Sequence, residues 1–386
     1  MAQKRILIIC GEPSGDLHAA CLVKKILELD PEIKISAVGG EYLRQTQTEI
    51  YVDIKDLSCL GFFDVLRKIP KFLALEKLLF KKIKTQKLQA VICVDFSGFN
   101  LRFAKKLNRS LPVIYYISPQ VWASRRGRIK TIKKYIDKII VFFKFEQNFY
   151  KEYGIDADFV GHPLLDTVKP THEKKEFLKE LKMSEFKTTI ALLPGSRKSE
   201  IKNILPIMVK TAILIRKELS ATQFIIVKSP QVGAELYQKI IKKLPMEMKI
   251  VEGKTYDCLN VADFALVASG TATLETTIMQ KPFVIIYKLS LLNYLLYRPQ
   301  VKVPYIGMIN LLANKLIIPE FIQGRACPKR IAQTVLKILK SPQEIAKIKE
   351  ELSKAKTLLG EPGATFRAAK IILDFLFGSD CVGRRG

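Results

Sequence analysis

Along the chain, short apolar runs alternate with stretches whose apolar positions recur every three or four residues. The runs at 4–10 (KRILIIC), 33–39 (IKISAVG), 88–95 (LQAVICVD) and 112–118 (PVIYYIS) are rich in Ile and Val. That is the pattern of strands buried on both faces of a parallel sheet. Amphipathic stretches such as 16–29 (DLHAACLVKKILEL) predict helices between them, and 138–143 and 157–161 continue the series. Residues 166–188 are charged and poor in strand character, which predicts a linker with a short helix. A second series follows at 188–195, 222–229, 247–253, 262–270 and 281–288. From Pro342 the pattern is helical, broken by LLGEPGA at 358–364. Two β–α series predict an α/β protein of two Rossmann-like domains with parallel sheets. Ligands of such sheets gather at the carboxyl ends of the strands, so the loops after Cys10, Asp95, Ser118, Gly161, Pro194 and Ala268 are expected to face a shared cleft.

Composition agrees with this outline and adds one open question. A chain of 386 residues, 48 % hydrophobic, is long for a single core. The seven cysteines show no CxxC pair and read as small buried hydrophobes and free thiols. The run Ile6–Cys10 is too short for a signal-peptide core, and 283–297 is cut by Lys288. A cytosolic chain is therefore expected. The formal charge of +27 fits a solvated basic surface, nucleic acid, an anionic membrane or anionic substrates, and charge alone does not choose among them.

Three loops have unusual composition. GEPSGD (11–16) follows the first strand, PGSRKSEI (194–201) opens the second series, and ASGTATLE (268–275) comes later. A helix that begins Ser269–Gly270–Thr271 offers free N–H groups and a partial positive charge to a phosphate. Arg197 adds a cationic fork, and Glu275, a turn into that helix, is placed to accept from a ribose. Each loop alone reads equally as a small-residue turn with a capping acid; together they point to a nucleotide diphosphate. There is no GxGxxG, no GxxxxGK[ST] and no HExxH, and the three histidines are scattered, so neither a metal nor a cofactor is implied.

GEPSGD, VDFSGFN (94–100), SPQVWASR (118–125), FVGHPLLD (159–166), LLPGSRKSEI (192–201), ASGTATLE, NLLANKLIIPEFIQ (310–323) and GEPGATFRAA (360–369) occur in the order seen in the lipid-A-disaccharide synthase family, which the chain resembles over nearly its whole length. The resemblance implies a GT-B glycosyltransferase, with two Rossmann-like domains facing across a cleft. The expected divisions are an acceptor and membrane-facing domain at 1–167, a UDP-sugar domain at 168–345, and helices at 346–386 that cross back onto the first domain. It also implies the reaction: UDP-2,3-diacylglucosamine joined to 2,3-diacylglucosamine 1-phosphate through a β-1,6 bond, with inversion and release of UDP. Another GT-B UDP-sugar transferase, or an epimerase with a soluble substrate, is the alternative.

By resemblance Asp95 is the general base, although Phe96–Ser97 departs from the commoner family pattern, and Glu12 is the alternative base. Gly11, Ser14, Gly15 and Asp16 are assigned to the acceptor side, the glycines leaving room for close backbone approach; Asp16 reads equally as a helix N-terminal acid. Arg197, Ser269, Gly270, Thr271 and Glu275 are assigned to UDP. Asn310, Glu320 and Gln323 match family positions that line the donor site, with Glu320 after Pro319 also reading as a helix start. His162 is expected to brace a loop or hinge, and Trp122 to pack in the core.

Both implied substrates carry acyl chains, and 60–84 supplies an apolar, lysine-bordered stretch that Pro70 divides. On its second helix Phe72, Leu73, Leu79, Phe80 and Ile83 form a stripe, with Leu75 and Leu78 outside it. Phe72, Leu75, Leu78, Leu79, Lys71 and Lys82 are expected to touch anionic lipid at the cytoplasmic face of the inner membrane. A core-facing helix whose extra leucines pack on a neighbour is the alternative, and Glu76 within the stripe counts against deep insertion. The dispersed lysines and lack of a reading module argue against nucleic acid, and a homodimer stays open.

Overall fold

The computed structural model describes residues 3–57, 69–242, 247–290, 294 and 303–378. It divides into two compact units, 1–163 with 359–386, and 164–358. The first sheet holds β1 (Arg5–Ile9), β2 (Lys34–Gly39), β3 (Thr48–Asp53), β4 (Ala90–Val94), β5 (Val113–Tyr116), β6 (Lys138–Val141) and β7 (Asp158–Phe159). The second holds β8 (Thr188–Leu193), β9 (Thr222–Lys228), β10 (Lys249–Glu252), β11 (Phe264–Ala268), β12 (Phe283–Tyr287) and β13 (Glu320–Ile322). Their orders are β3-β2-β1-β4-β5-β6-β7 and β10-β9-β8-β11-β12-β13, with every pairing parallel. Strand order reverses at β1/β4 in the first sheet and at β8/β11 in the second, and such switch points open a crevice at the strands' carboxyl ends. The central strands are Ile/Val-rich because helices cover both their faces.

Three details differ from expectation. The charged stretch 166–188 is no free linker: Phe177 and Leu178 are buried in the second unit's core. Asp257 ties its start down, accepting from the N–H groups of Thr171 (2.7 Å) and His172 (2.8 Å). The Pro342–Thr357 helix also belongs to the second unit, and the return to the first begins at Leu359. There Leu359 O accepts from the His162 N–H at 2.8 Å. Arg367 donates to the carbonyls of Val160, Glu361 and Pro362 at 2.6–2.7 Å, so the arginine of GEPGATFRAA is a stitch in the backbone. Gly161 (φ +83°) and Gly360 (φ +84°) approach so closely that a Cβ on Gly360 would lie 3.0 Å from Gly161 Cα.

The third difference is the Ile69–Gln86 helix. Leu75 and Leu79 are buried in the first unit's core, while Leu73, expected in the apolar stripe, is 42 % exposed. Phe72 packs on Phe96 and Phe99, and Phe80 on Phe103. The buried face thus runs through Leu75, Glu76 and Leu79 with Phe72 and Phe80 beside it, one turn apart at each step. Glu76 turns inward to Arg102 (3.0 Å) and Lys106, so it is neutralised by the neighbouring helix. Leu75 and Leu79 are core residues and are removed from the membrane-contact set. Lys82 lies over the Tyr51 ring and pairs with Glu49 at 3.7 Å; Lys71 is exposed and Leu78 is partly buried. The part of the apolar stretch at 58–68 lies outside the described residues.

Candidate active site

Four of the loops singled out from sequence lie at the two switch points. In the first unit these are the loops after β1 and β4, whose strand ends pair at Ile9 and Cys93. The chain leaves β4 through two successive left-handed residues, Asp95 (φ +47°) and Phe96 (φ +45°). Left-handed backbone costs a non-glycine residue roughly 1–2 kcal/mol, so something must hold it. Asp95 O accepts from Tyr115 Oη at 2.6 Å and Asn100 Nδ2 at 2.8 Å. The kink carries the Phe96 ring over Gly11, where a Cβ would meet Cγ at 2.2 Å. The space above Gly11 is therefore filled by a side chain of the same domain, which corrects its reading as room for ligand. Gly15 packs its Cα side toward Cys10 and Val94, at distances an alanine would tolerate.

Asp16 is also corrected. It is buried, Oδ1 accepts from Gly40 N at 2.6 Å, and Oδ2 accepts from Tyr42 N at 2.9 Å. Its carboxylate is spent on the turn after β2, and its place in the first turn of the Pro13–Leu29 helix agrees with its reading as a helix N-terminal acid. Glu12 and Ser14, at the start of the Pro13–Leu29 helix, are exposed, and Asp95 is half-buried. Ser97 Oγ accepts from Arg128 Nη1 at 2.8 Å, which brings the basic SRRGR loop to the aspartate's loop.

In the second unit the loops after β8 and β11 face the reversal, with Leu193 and Val267 in register. Gly195 sits at φ +105°, and Glu200 folds back beneath it. Glu200 Oε2 accepts from Ser196 N (3.0 Å) and Arg197 N (3.3 Å), and Oε1 lies 3.8 Å from the Arg197 guanidinium. These loop N–H groups are satisfied internally, so Arg197 offers a ligand its side chain, which is 55 % exposed. After β11, Gly270 (φ +150°) is exposed and the space where a Cβ would stand is open, and Thr271 starts the Thr271–Ile278 helix. Glu275 is one turn in; desolvation raises its pKa, and Tyr256 Oη donates to it at 3.2 Å.

The three remaining donor-side assignments are scaffold. Asn310 is fully buried; its Oδ1 accepts from the N–H groups of Ile317 and Ile318, both at 2.9 Å. Its Nδ2 donates to Ile318 O and to Glu320 Oε1. Glu320 does not start a helix: it opens β13 and accepts from Ile306 N (2.9 Å) and Gly307 N (2.8 Å). Gln323 accepts from Leu289 N at 2.7 Å and donates back to Leu289 O. Buried polar groups are nearly always satisfied, and here backbone claims the groups expected to meet the donor.

Two buried clusters escaped the sequence reading. Glu146, at the third position of the Lys144–Glu152 helix, accepts from Trp122 Nε1 (3.1 Å) and Ser118 Oγ (3.4 Å). Desolvation pushes its pKa up to about 7. Trp122 therefore serves the SPQVW loop through a polar tie as well as through packing on Phe145. His18 and His162 meet Phe142 in an aromatic cluster; burial lowers them to about 4 and about 3, so both are neutral near neutral pH.

The sequence model of a family described as Lipid-A-disaccharide synthetase matches residues 6–374. A lipid-A-disaccharide synthase of Syntrophus aciditrophicus is 40% identical over 99% of this chain and 100% of its own. One of Myxococcus xanthus is 37% identical over 96% and 97%. Among solved structures, the UDP-GlcNAc 2-epimerase of Neisseria meningitidis bound to UDP-GlcNAc has a TM-score of 0.66 at 10% identity, covering 96% of this chain and 100% of that one. A glycosyltransferase of Rickettsia africae has a TM-score of 0.60 at 14% identity, covering 98% and 100%. At these identities the structural neighbours establish the GT-B fold alone.

Proposed function

The chain belongs to the lipid-A-disaccharide synthase family, and on that premise we propose how its residues carry out the transfer. The carrying observation is positional: loops quoted for the family fall at the switch points of two parallel sheets, acids in one and a cation with a helix start in the other. Asp95 takes the proton of the acceptor's 6-hydroxyl as that oxygen attacks the donor's anomeric carbon from the face opposite the diphosphate. The bond from the anomeric carbon to the β-phosphate oxygen breaks, its electron pair leaves with UDP, and configuration inverts. Arg197 and the N–H groups at Gly270–Thr271 offset the charge on the departing diphosphate. Glu275, steadied by Tyr256, accepts from the ribose. Glu12 is the second candidate base.

No helix among the described residues is long and apolar enough to cross a membrane. We place the chain peripherally, at the cytoplasmic face of the inner membrane. Its contact with acylated substrates is carried by the exposed Ile69, Lys71 and Leu73 at the start of their helix.

The test is release of UDP from UDP-2,3-diacylglucosamine in detergent, with and without 2,3-diacylglucosamine 1-phosphate, for wild type and Asp95→Asn, each also in EDTA. Acceptor-dependent release that falls about 10²–10⁴-fold in the variant supports Asp95 as base. Full activity in Asp95→Asn moves the base to Glu12. Release independent of acceptor sinks the transferase reading.

A further inference from the structure

We infer that Arg128 is the seat of the acceptor's phosphate, a subsite that rests on the transferase reading above. The loop from β5 ends in a tight turn, Arg126–Arg128, entered through Arg125 in the left-handed region (φ +55°). Arg125 and Arg126 are exposed, whereas Arg128 is folded inward and partly buried. Its one side-chain hydrogen bond among the described residues goes to a neutral acceptor, Ser97 Oγ, at 2.8 Å. No Asp or Glu among the described residues pairs with it, and the charged group that bears on it most is Arg125, of the same sign.

A partly buried guanidinium normally has a carboxylate, because desolvating a cation is costly unless an anion compensates. In the same unit Arg102 faces Glu76, and half-buried Arg367 spends its fork on the carbonyls of Val160, Glu361 and Pro362. Arg128 instead keeps most of its donor fork unspent, next to a second arginine and bonded to Ser97, the second residue after Asp95. That arrangement suits a dianionic phosphate monoester, which a planar fork grips at two oxygens. In the acceptor, the phosphate-bearing carbon and the carbon bearing the CH₂OH flank the ring oxygen. Gripping the phosphate at Ser97–Arg128 therefore presents the 6-hydroxyl end of the same sugar to the Asp95 loop.

The experiment compares two acceptors in neutral detergent, so that no other lipid phosphate competes: 2,3-diacylglucosamine 1-phosphate and 2,3-diacylglucosamine lacking the phosphate. Wild type, Arg128→Ala and Arg128→Lys are assayed at saturating donor, and melting temperatures confirm folding. Arg128→Ala is expected to lower kcat/KM about 30-fold with the phosphorylated acceptor, mostly through KM, and by less than about threefold with the phosphate-free one. Arg128→Lys, which keeps charge and loses the fork, is expected to fall between. Equal losses on both acceptors overturn the assignment and leave the transferase reading intact. Failure of the wild type to use the phosphorylated acceptor overturns that reading and this inference with it.

Discussion

Tyr115 donates its phenolic hydroxyl to the main-chain oxygen of Asp95 across 2.6 Å, from the strand beside it. The bond holds a backbone segment that would otherwise relax, since Asp95 and Phe96 are both left-handed. Tyr115→Phe keeps the buried ring and leaves Asn100 on the same carbonyl. We expect a loss of about 1 kcal/mol in urea unfolding and a several-fold lower kcat, with UDP affinity unchanged because the second unit is untouched. A kcat equal to wild type would show that the kink needs no help from Tyr115.

The Ile69–Gln86 helix separates core from contact residues along one element. Leu79 is fully buried, so Leu79→Ala is expected to cost about 2–5 kcal/mol in stability. Leu73→Glu and Ile69→Glu alter exposed positions and should stay within about 0.5 kcal/mol of wild type. They should, however, weaken co-sedimentation with anionic vesicles. Vesicle binding unchanged in the double Glu variant would take this helix out of membrane contact.

The central strands were legible because burial on both faces leaves only Ile- and Val-rich runs to choose from. The edge strands β3 and β13 were not: TEIYVD and EFI are only partly buried and so carry polar residues. The switch-point loops were visible through their small residues, which tight backbone demands. What one sequence does not display is which polar groups the backbone claims. Asp16, Asn310, Glu320 and Gln323 read as ligand contacts, yet their oxygens and amides are taken by N–H and C=O groups of other turns and loops. Conversely Glu146 and Arg128 sit among ordinary charged residues, and only folding reveals that one is buried and that the other has no carboxylate partner among the described residues.

His18 and His162 make stability fall with acid. Their native pKa values, about 4 and about 3, lie below the ordinary 6.5, so the unfolded chain takes protons first. Stability is whole above about pH 6.5 and declines as pH falls toward the native values, each histidine contributing about 2 kcal/mol of loss by pH 5. Glu146 works in the opposite sense over the same window, because its raised pKa lets the native state bind the extra proton. Urea midpoints should therefore be followed in Glu146→Gln. There His18→Gln or His162→Gln is expected to halve the slope between about pH 6.5 and 5. An unchanged slope would mean these rings are protonated in the native state.

Trp122 is the only tryptophan, and its indole N–H donates to Glu146. Protonating that carboxyl removes the charge from the acceptor and weakens its ties to Trp122 and Ser118, which hold the loop leading to Arg128. A charge-assisted hydrogen bond is roughly twice as strong as a neutral one, so the loop is firmer above the transition than below it. Tryptophan fluorescence of the wild type is expected to titrate with a midpoint near 7, the value to which burial raises Glu146. In Glu146→Gln the amide oxygen still accepts from the indole but does not ionise, so the transition should vanish. The KM for acceptor should rise below the same midpoint in the wild type and not in the variant, while the KM for donor stays level in both. A fluorescence transition that survives in Glu146→Gln would assign the titration to another group and detach the loop's order from this carboxylate.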